Sequence, residues 1–503
     1  MPASRLIFAS FLFFLSQFAF SFEPLPTIHQ AYQFSVEEIS LPGDERMGLV
    51  GGNYLLKHKN WFTGLGVYGA ATGDRGGFFT GGIHLGRQQL LYQDYFAEIN
   101  GFFGGGGGGA APQGGGLMLR GSLGIGRQVS LNRFFFGVSR VSFPNGDINS
   151  NQLSFTYARL FTNLHFPGYF QEATLKKKWN RYLQNNKMSA TQSSIQTTFY
   201  LPSSSVKTRA NKPHDSVLGI LGIRVSSQIN NVLWGEFETS GAMSGGIDGF
   251  AQVLGGFSLR KRISSSVSLS SGLLGGAAGG GDVDTGGGMM ARIFTGVNIS
   301  FSEQWVFSPQ IGYTTAIDGG FEAKTVNLNV IYEFEKLLPS LQQLEIATKN
   351  HRILRWRNYR IRPGIQKYTF YQQHSRKSTD VEDLDVDLTN LKLDAFIHNK
   401  FYITGQALGA YEGKAGGYAV GFLGVGRKIS SNVGAELLVG VAGGGGIAVG
   451  SGKIIQPMVD FELPLTKAWS AEFSTGYIKA VNSSLSAFVF NIGAVYQFSQ
   501  PFL

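Results

Sequence analysis

The sequence predicts an all-β, membrane-spanning antiparallel β-barrel, made of three repeats of about eight strands joined by short helical linkers. Three observations predict it. Many segments of about ten residues alternate apolar and polar positions and end in aromatics. A glycine-rich unit recurs three times. The chain opens on an export segment and contains no cysteine.

Composition narrows the classes first. Glycine is 70 of 503 residues and proline only 15, so the chain is neither collagen-like nor proline-rich. Hydrophobic residues make 43% and charged ones 15%, the opposite of a disordered chain. Absent cysteine excludes disulfides, thiolate metal sites and a cysteine nucleophile. Met1 to Ser21 has a positive start at Arg5, an apolar run from Leu6 to Leu15, and small residues at Ala19 and Ser21. This is the pattern of a cleaved signal peptide, 1–21, and it is set aside from the fold. Beyond Phe22 no run of 18 apolar residues occurs, so the remaining apolar content belongs to strands.

The strands read clearly. Phe488, Phe490, Ile492, Ala494, Tyr496 and Phe498 share one face, opposite Asn491, Gly493 and Gln497. Trp305 to Tyr313 and Thr325 to Phe334 alternate in the same way. Period two with one apolar face fits a strand with lipid outside and a polar lumen inside. Trp61, Trp234, Trp305 and Trp469 open strands, where interfacial aromatics belong.

Self-comparison finds the repeat. The glycine-rich segments start near Asn100, Ser271 and Leu438, with Gly101, Gly272 and Gly440 as matching points and a period of about 170 residues. The preceding strands also match: GGIHLGRQ from Gly81, GGFSLRKR from Gly255 and GFLGVGRK from Gly421. The expected organisation is repeat 1 over 30–162, a basic helical linker over 163–192, repeat 2 over 193–335, a second basic helical linker over 336–364, and repeat 3 over 365–499. Lys176, Lys177, Lys178 and Arg181 mark the first linker, and Arg352, Arg355, Arg357, Arg360 and Arg362 the second. Both are expected contacts for a partner. An exported chain argues against nucleic acid as that partner.

The last strand ends in Gly493, Tyr496 and Phe498. Glycine, two residues, an aromatic, one residue and Phe resembles the terminal strand motif of bacterial outer-membrane β-barrel proteins. The motif lies five residues inside the C-terminus, where the family pattern ends on Phe. The resemblance implies residence in the outer membrane of a Gram-negative bacterium. It also implies contact with outer-membrane lipid and recognition of Gly493, Tyr496 and Phe498 by the barrel-insertion machinery.

Two architectures satisfy closure. One barrel of about 24 strands leaves a wide hole that needs a plug. Three eight-stranded barrels fill their own interiors but need linkers, and glycine or alanine at many lumen positions fills them poorly. No phosphate loop, G-x-S-x-G elbow or H-E-x-x-H pair is present. His84, His214 beside Asp215, the pair Asp282 and Asp284, and the acids Glu382, Asp383, Asp385 and Asp387 default to structural or solvated roles. The chain is therefore expected to be no enzyme and to hold no cofactor or metal. The expected role is structural or scaffolding, with periplasmic linkers engaging a protein partner. A large-pore channel and a surface binder acting through loops are the alternatives.

Overall fold

The computed structural model describes residues 27–169, 188–203, 206–213, 216–337, 355–370 and 385–502. It answers the question of closure: each repeat closes on itself, and three antiparallel eight-stranded barrels stand side by side. Barrel 1 comprises β1 (Thr27–Ser40), β2 (Arg46–His58), β3 (Trp61–Thr72), β4 (Phe79–Tyr92), β5 (Tyr95–Gly107), β6 (Leu117–Val129), β7 (Asn132–Ser142) and β8 (Asn149–Leu164). A two-residue strand, β9 (Phe166–Pro167), follows. Barrel 2 comprises β10 (Met188–Pro202), β11 (Leu218–Gln228), β12 (Leu233–Ser244), β13 (Ala251–Arg262), β14 (Val267–Gly279), β15 (Met289–Ser300), β16 (Trp305–Ala316) and β17 (Glu322–Leu337). Barrel 3 comprises β18 (Arg355–Phe370), β19 (Asp385–Phe396), β20 (Phe401–Gly413), β21 (Ala419–Lys428), β22 (Val433–Gly443), β23 (Lys453–Pro464), β24 (Trp469–Ala480) and β25 (Ser486–Phe502).

First and last strands pair in each unit: Val36 opposite Phe155, Ile195 opposite Val330, and Ile365 opposite Ile492. Closure removes every free edge, which a spanning sheet in hydrocarbon requires. Strands of ten or more residues are long enough to cross at a tilt. The alternation has the expected sense. Leu123, Ile125, Phe134, Phe136 and Val138 point outward and are exposed, whereas Arg120, Ser122, Phe135 and Ser139 are buried. Even strand number places both ends of every barrel on one rim, here called the terminal rim. There the strands are joined by turns of two residues in barrel 1 and four in barrels 2 and 3. Longer loops lie on the opposite, loop rim.

Two expectations are corrected. Among the described residues there is no helix, so the helical linkers find no support. The stretch assigned to the second linker over 336–364 contains the whole first half of β18, which runs Arg355–Phe370. Arg360, Arg362, Gly364, Gln366 and Tyr368 alternate with period two, and a dense run of positive charge hid a lumen-facing strand. Lys176, Lys177, Lys178, Arg181 and Arg352 lie outside the described residues, as does the segment 1–21.

The glycine-rich segments hold the barrels together. Strand three of each barrel touches strand five of the next: β3 on β14, β12 on β22 and β20 on β5. The cycle closes, giving a pseudo-threefold ring from one chain. Gly69, Gly241 and Gly409 stand against Ala277, Val441 and Gly105; a Cβ on Gly69 would come within 2.8 Å of the Ala277 Cβ. At the loop rim Gly77, Gly249 and Gly417 have φ of 89°, 90° and 87°. A Cβ on each would run into the backbone of Gly280, Gly444 and Gly108 of the neighbouring barrel. These positions demand glycine twice over, for the left-handed backbone and for the close approach. Lumen glycines have a different task. Gly86, Gly126 and Gly426 leave room for the rings of Phe62, Phe96 and Tyr402. The repeat register is therefore set by the loop glycines 108, 280 and 444. Counted back from these glycines, Gly101 lies seven residues away, Gly272 eight and Gly440 four, so the points matched in the sequence are not in structural register.

Candidate functional site

Each lumen is crossed by a buried ion-pair network. In barrel 1 the Glu37 carboxylate accepts from Arg120 Nε at 2.7 Å and from Ser139. Arg120 also donates to Asn100 Oδ1 at 3.2 Å and Ser154 Oγ at 2.9 Å, and its guanidinium lies over the Tyr68 ring. In barrel 2 Glu238 takes Arg224 at 2.9 Å and Arg292, while Gln252 Nε2 donates to it at 3.0 Å. Arg120 and Arg292 each lie four residues after the loop glycines Gly116 and Gly288; Gln456 stands at that place in barrel 3 after Gly452.

Barrel 3 is the most highly charged. Arg360 pairs with Asp394 at 2.8 Å and with Glu462. Arg362 pairs with Asp394 at 2.9 Å, with Glu472 at 3.3 Å and with Glu436. Lys392 Nζ reaches Glu436 at 2.9 Å, and the Tyr402 hydroxyl donates to the same carboxylate at 2.9 Å. Charges this deep must be paired, because an isolated ion in a low-dielectric interior costs several kcal/mol or more. The expected basic contacts Arg360 and Arg362 thus sit inside a barrel and are no more than 1% exposed. Arg357 lies outside, at the seam with barrel 2, its Nη2 donating to Tyr332 Oη at 3.3 Å. Of Arg355 only the backbone is described, at the start of β18.

The C-terminal signature also has an unexpected setting. Phe488, Phe490 and Ile492 of β25 are exposed, but Tyr496 and Phe498 farther along the same face are buried. The segment leaving barrel 1 covers them. His165 Nε2 lies 2.6 Å from Tyr496 Oη, its ring stacks on Phe498 at 4.6 Å, and Pro167 of β9 pairs with Phe498. Gly493 sits opposite Gly364, where a Cβ would meet the Pro363 carbonyl at 2.5 Å. The exit of the first barrel is thereby clasped to the closing strand of the third. No period-two pattern carries that information, because it joins segments 331 residues apart.

The remaining candidates resolve into structural roles. His84 is buried in the lumen of barrel 1, 2.9 Å from Asn53 Oδ1 and 3.2 Å from Tyr68 Oη. His214 and Asp215 lie outside the described residues, as do Glu382 and Asp383. Asp284 accepts from the backbone N–H of Gly320 at 2.9 Å, and Asp282 from that of Ala210 at 3.1 Å, so both cap loops. Of Asp385 only the backbone is described, opening β19; Asp387 faces Lys367 at 3.9 Å. A cavity of about 250 Å³ opens at the terminal mouth of barrel 1, lined among others by Lys57, Gln88, Phe96 and Arg133.

One loop contact is pH-sensitive. Arg75 donates to both carboxylate oxygens of Glu45, at 2.7 and 2.6 Å, and to the Ala110 carbonyl, tying three loops of barrel 1. The Arg75 hydrogen bond holds the Glu45 carboxyl below its ordinary range. A depressed carboxyl contributes stability above its unfolded pKa and loses it as pH falls through the folded value. We expect proteolysis of these loops to accelerate below about pH 4.5 in wild type. In Glu45→Gln it should already be faster at neutral pH and nearly flat, with an effect of about 0.2–1 kcal/mol.

No family model matches the sequence, and no characterised protein matches it. Among solved structures, a variant of the ferric enterobactin receptor from Pseudomonas aeruginosa in complex with enterobactin is 8% identical, over 95% of this chain and 82% of that one, with a TM-score of 0.27. The siderophore receptor PirA from the same organism is 8% identical, over 96% and 81%, at 0.26. OccAB4 from Acinetobacter baumannii is 9% identical, over 95% and 98%, at 0.22. Likeness at this level transfers no function. The chain itself shows the triplicated eight-strand unit as three closed β-barrels, with apolar outer faces and interiors that combine buried polar networks with buried apolar clusters.

Proposed function

We propose that this chain is an integral outer-membrane protein of a Gram-negative envelope with a structural or scaffolding role, exported with a cleaved signal peptide. The supporting observation is that all three lumens are crossed by buried, mutually neutralising side chains, with Arg120, Arg292 and Arg362 at most 4% exposed. A structure of this kind occupies membrane area without opening a wide path. The strands adjoining both basic linker segments end or begin at the terminal rim, the side taken here as periplasmic. Lys176, Lys177, Lys178, Arg181 and Arg352 are the residues we assign to a periplasmic partner. Reconstitution in a planar bilayer should give no nanosiemens-scale steps; such steps would replace this reading with the large-pore channel. Crosslinking from the two linkers in cells should capture a periplasmic protein.

A further inference from the structure

Strand four of each barrel lies between the two strands that touch neighbouring barrels, so β4, β13 and β21 face the pseudo-threefold axis. Near the loop rim the axis is closed by glycine contacts. Toward the terminal rim the same faces carry Leu85, Phe257, Leu259 and Val425, exposed by 37%, 58%, 56% and 60%. Each carries one outward, exposed cation farther along: Arg87, Lys261 and Arg427. Counted from the loop glycines 77, 249 and 417, Arg87 and Arg427 lie ten residues along and Lys261 twelve, one pleat farther. Arg87 and Arg427 lie over the rings of Trp61 and Phe401 at the rim. Toward the terminal rim the outward positions of strands three, four and five contain no Asp or Glu in any barrel; the one outward acid on these strands, Glu412 of β20, lies at the loop-rim end. Asp94 is the one acid in the terminal-rim turns that border them.

An apolar recess bounded on three sides and topped by three unopposed cations matches one chemistry. Acyl chains fit the walls, and an anionic headgroup meets the charges at interfacial depth. We infer that the recess on the pseudo-threefold axis binds an anionic diacyl phospholipid, held by Arg87, Lys261 and Arg427. This inference rests on the membrane-barrel reading above, but not on whether the lumens conduct.

The test uses the full chain, reconstituted in vesicles of mixed phosphatidylglycerol and phosphatidylcholine, then extracted in mild detergent for native mass spectrometry. Wild type is expected to retain one phosphatidylglycerol, enriched about tenfold or more over phosphatidylcholine. The triple variant Arg87→Gln, Lys261→Gln, Arg427→Gln should lose that enrichment while its heat-modifiable gel mobility stays intact. Arg127→Gln, which removes an outward cation on β6 away from the axis, should retain it. Equal retention of both lipids by wild type, no retained lipid, or unchanged enrichment in the triple variant would each overturn the site. In those cases heat-modifiability and detergent partition still report separately on the barrel fold.

Discussion

Arg362→Met is expected to destabilise barrel 3 by about 3–5 kcal/mol, the cost of removing one partner from a buried ion pair. Arg362 is 1% exposed and touches Asp394, Glu436 and Glu472. Two of these keep another cation after the change: Asp394 has Arg360, and Glu436 has Lys392. Glu472 retains only an Asn491 amide at 3.4 Å among its described partners. The loss should therefore be concentrated on Glu472, and Arg362→Met with Glu472→Gln should recover a large part of it. Urea unfolding from lipid vesicles measures both. A single variant as stable as wild type, or a double variant worse than the single, would show that the network does not carry the interior of this barrel.

Replacing Gly77, Gly249 and Gly417 together by valine should separate the three barrels without unfolding them. Each change imposes a left-handed backbone on a β-branched residue and drives a Cβ into neighbouring backbone, together about 2–5 kcal/mol per site. The chain has no cysteine, so a reporter is easily built. Gly69→Cys with Ala277→Cys places two Cβ atoms across the β3–β14 seam. The 2.8 Å expected there is about 1 Å shorter than a relaxed disulfide's Cβ separation, a gap that small backbone shifts accommodate. In the otherwise wild-type ring the pair should oxidise readily, and in the triple valine background it should not. Equal crosslinking in both backgrounds would mean that the loop glycines do not hold the ring.

How much of this was readable follows the range of the interactions. The outward faces of β16 and β25 are local patterns, and Trp305 to Tyr313 and Phe488 to Ile492 stand as the alternation implies. Arg360 and Arg362 read as linker residues because the run of positive charge masks the period-two pattern of β18. Extending the alternation of Gly364, Gln366 and Tyr368 backward would have put both arginines on the lumen face. Their carboxylate partners were out of reach, since Glu436 and Glu472 lie 74 and 110 residues away. The repeated Arg120 and Arg292, each four residues after a loop glycine, were a detectable signal of the lumen networks.

What the amino-acid order by itself determined is the triplication, most of the strands and the side of each ribbon that faces outward. Side-chain alternation is a property of neighbouring residues, and a repeat is visible to comparison alone. Only the tertiary structure decided that β8 returns to β1, β17 to β10 and β25 to β18, so that three narrow barrels form instead of one wide one. It also decided that the conspicuous glycines join barrel to barrel as well as making room within them. An unpaired edge strand offers the same backbone donors and acceptors to any partner strand. Its choice is therefore set by how the distant interior fills and by which surfaces approach closely enough to exclude a Cβ.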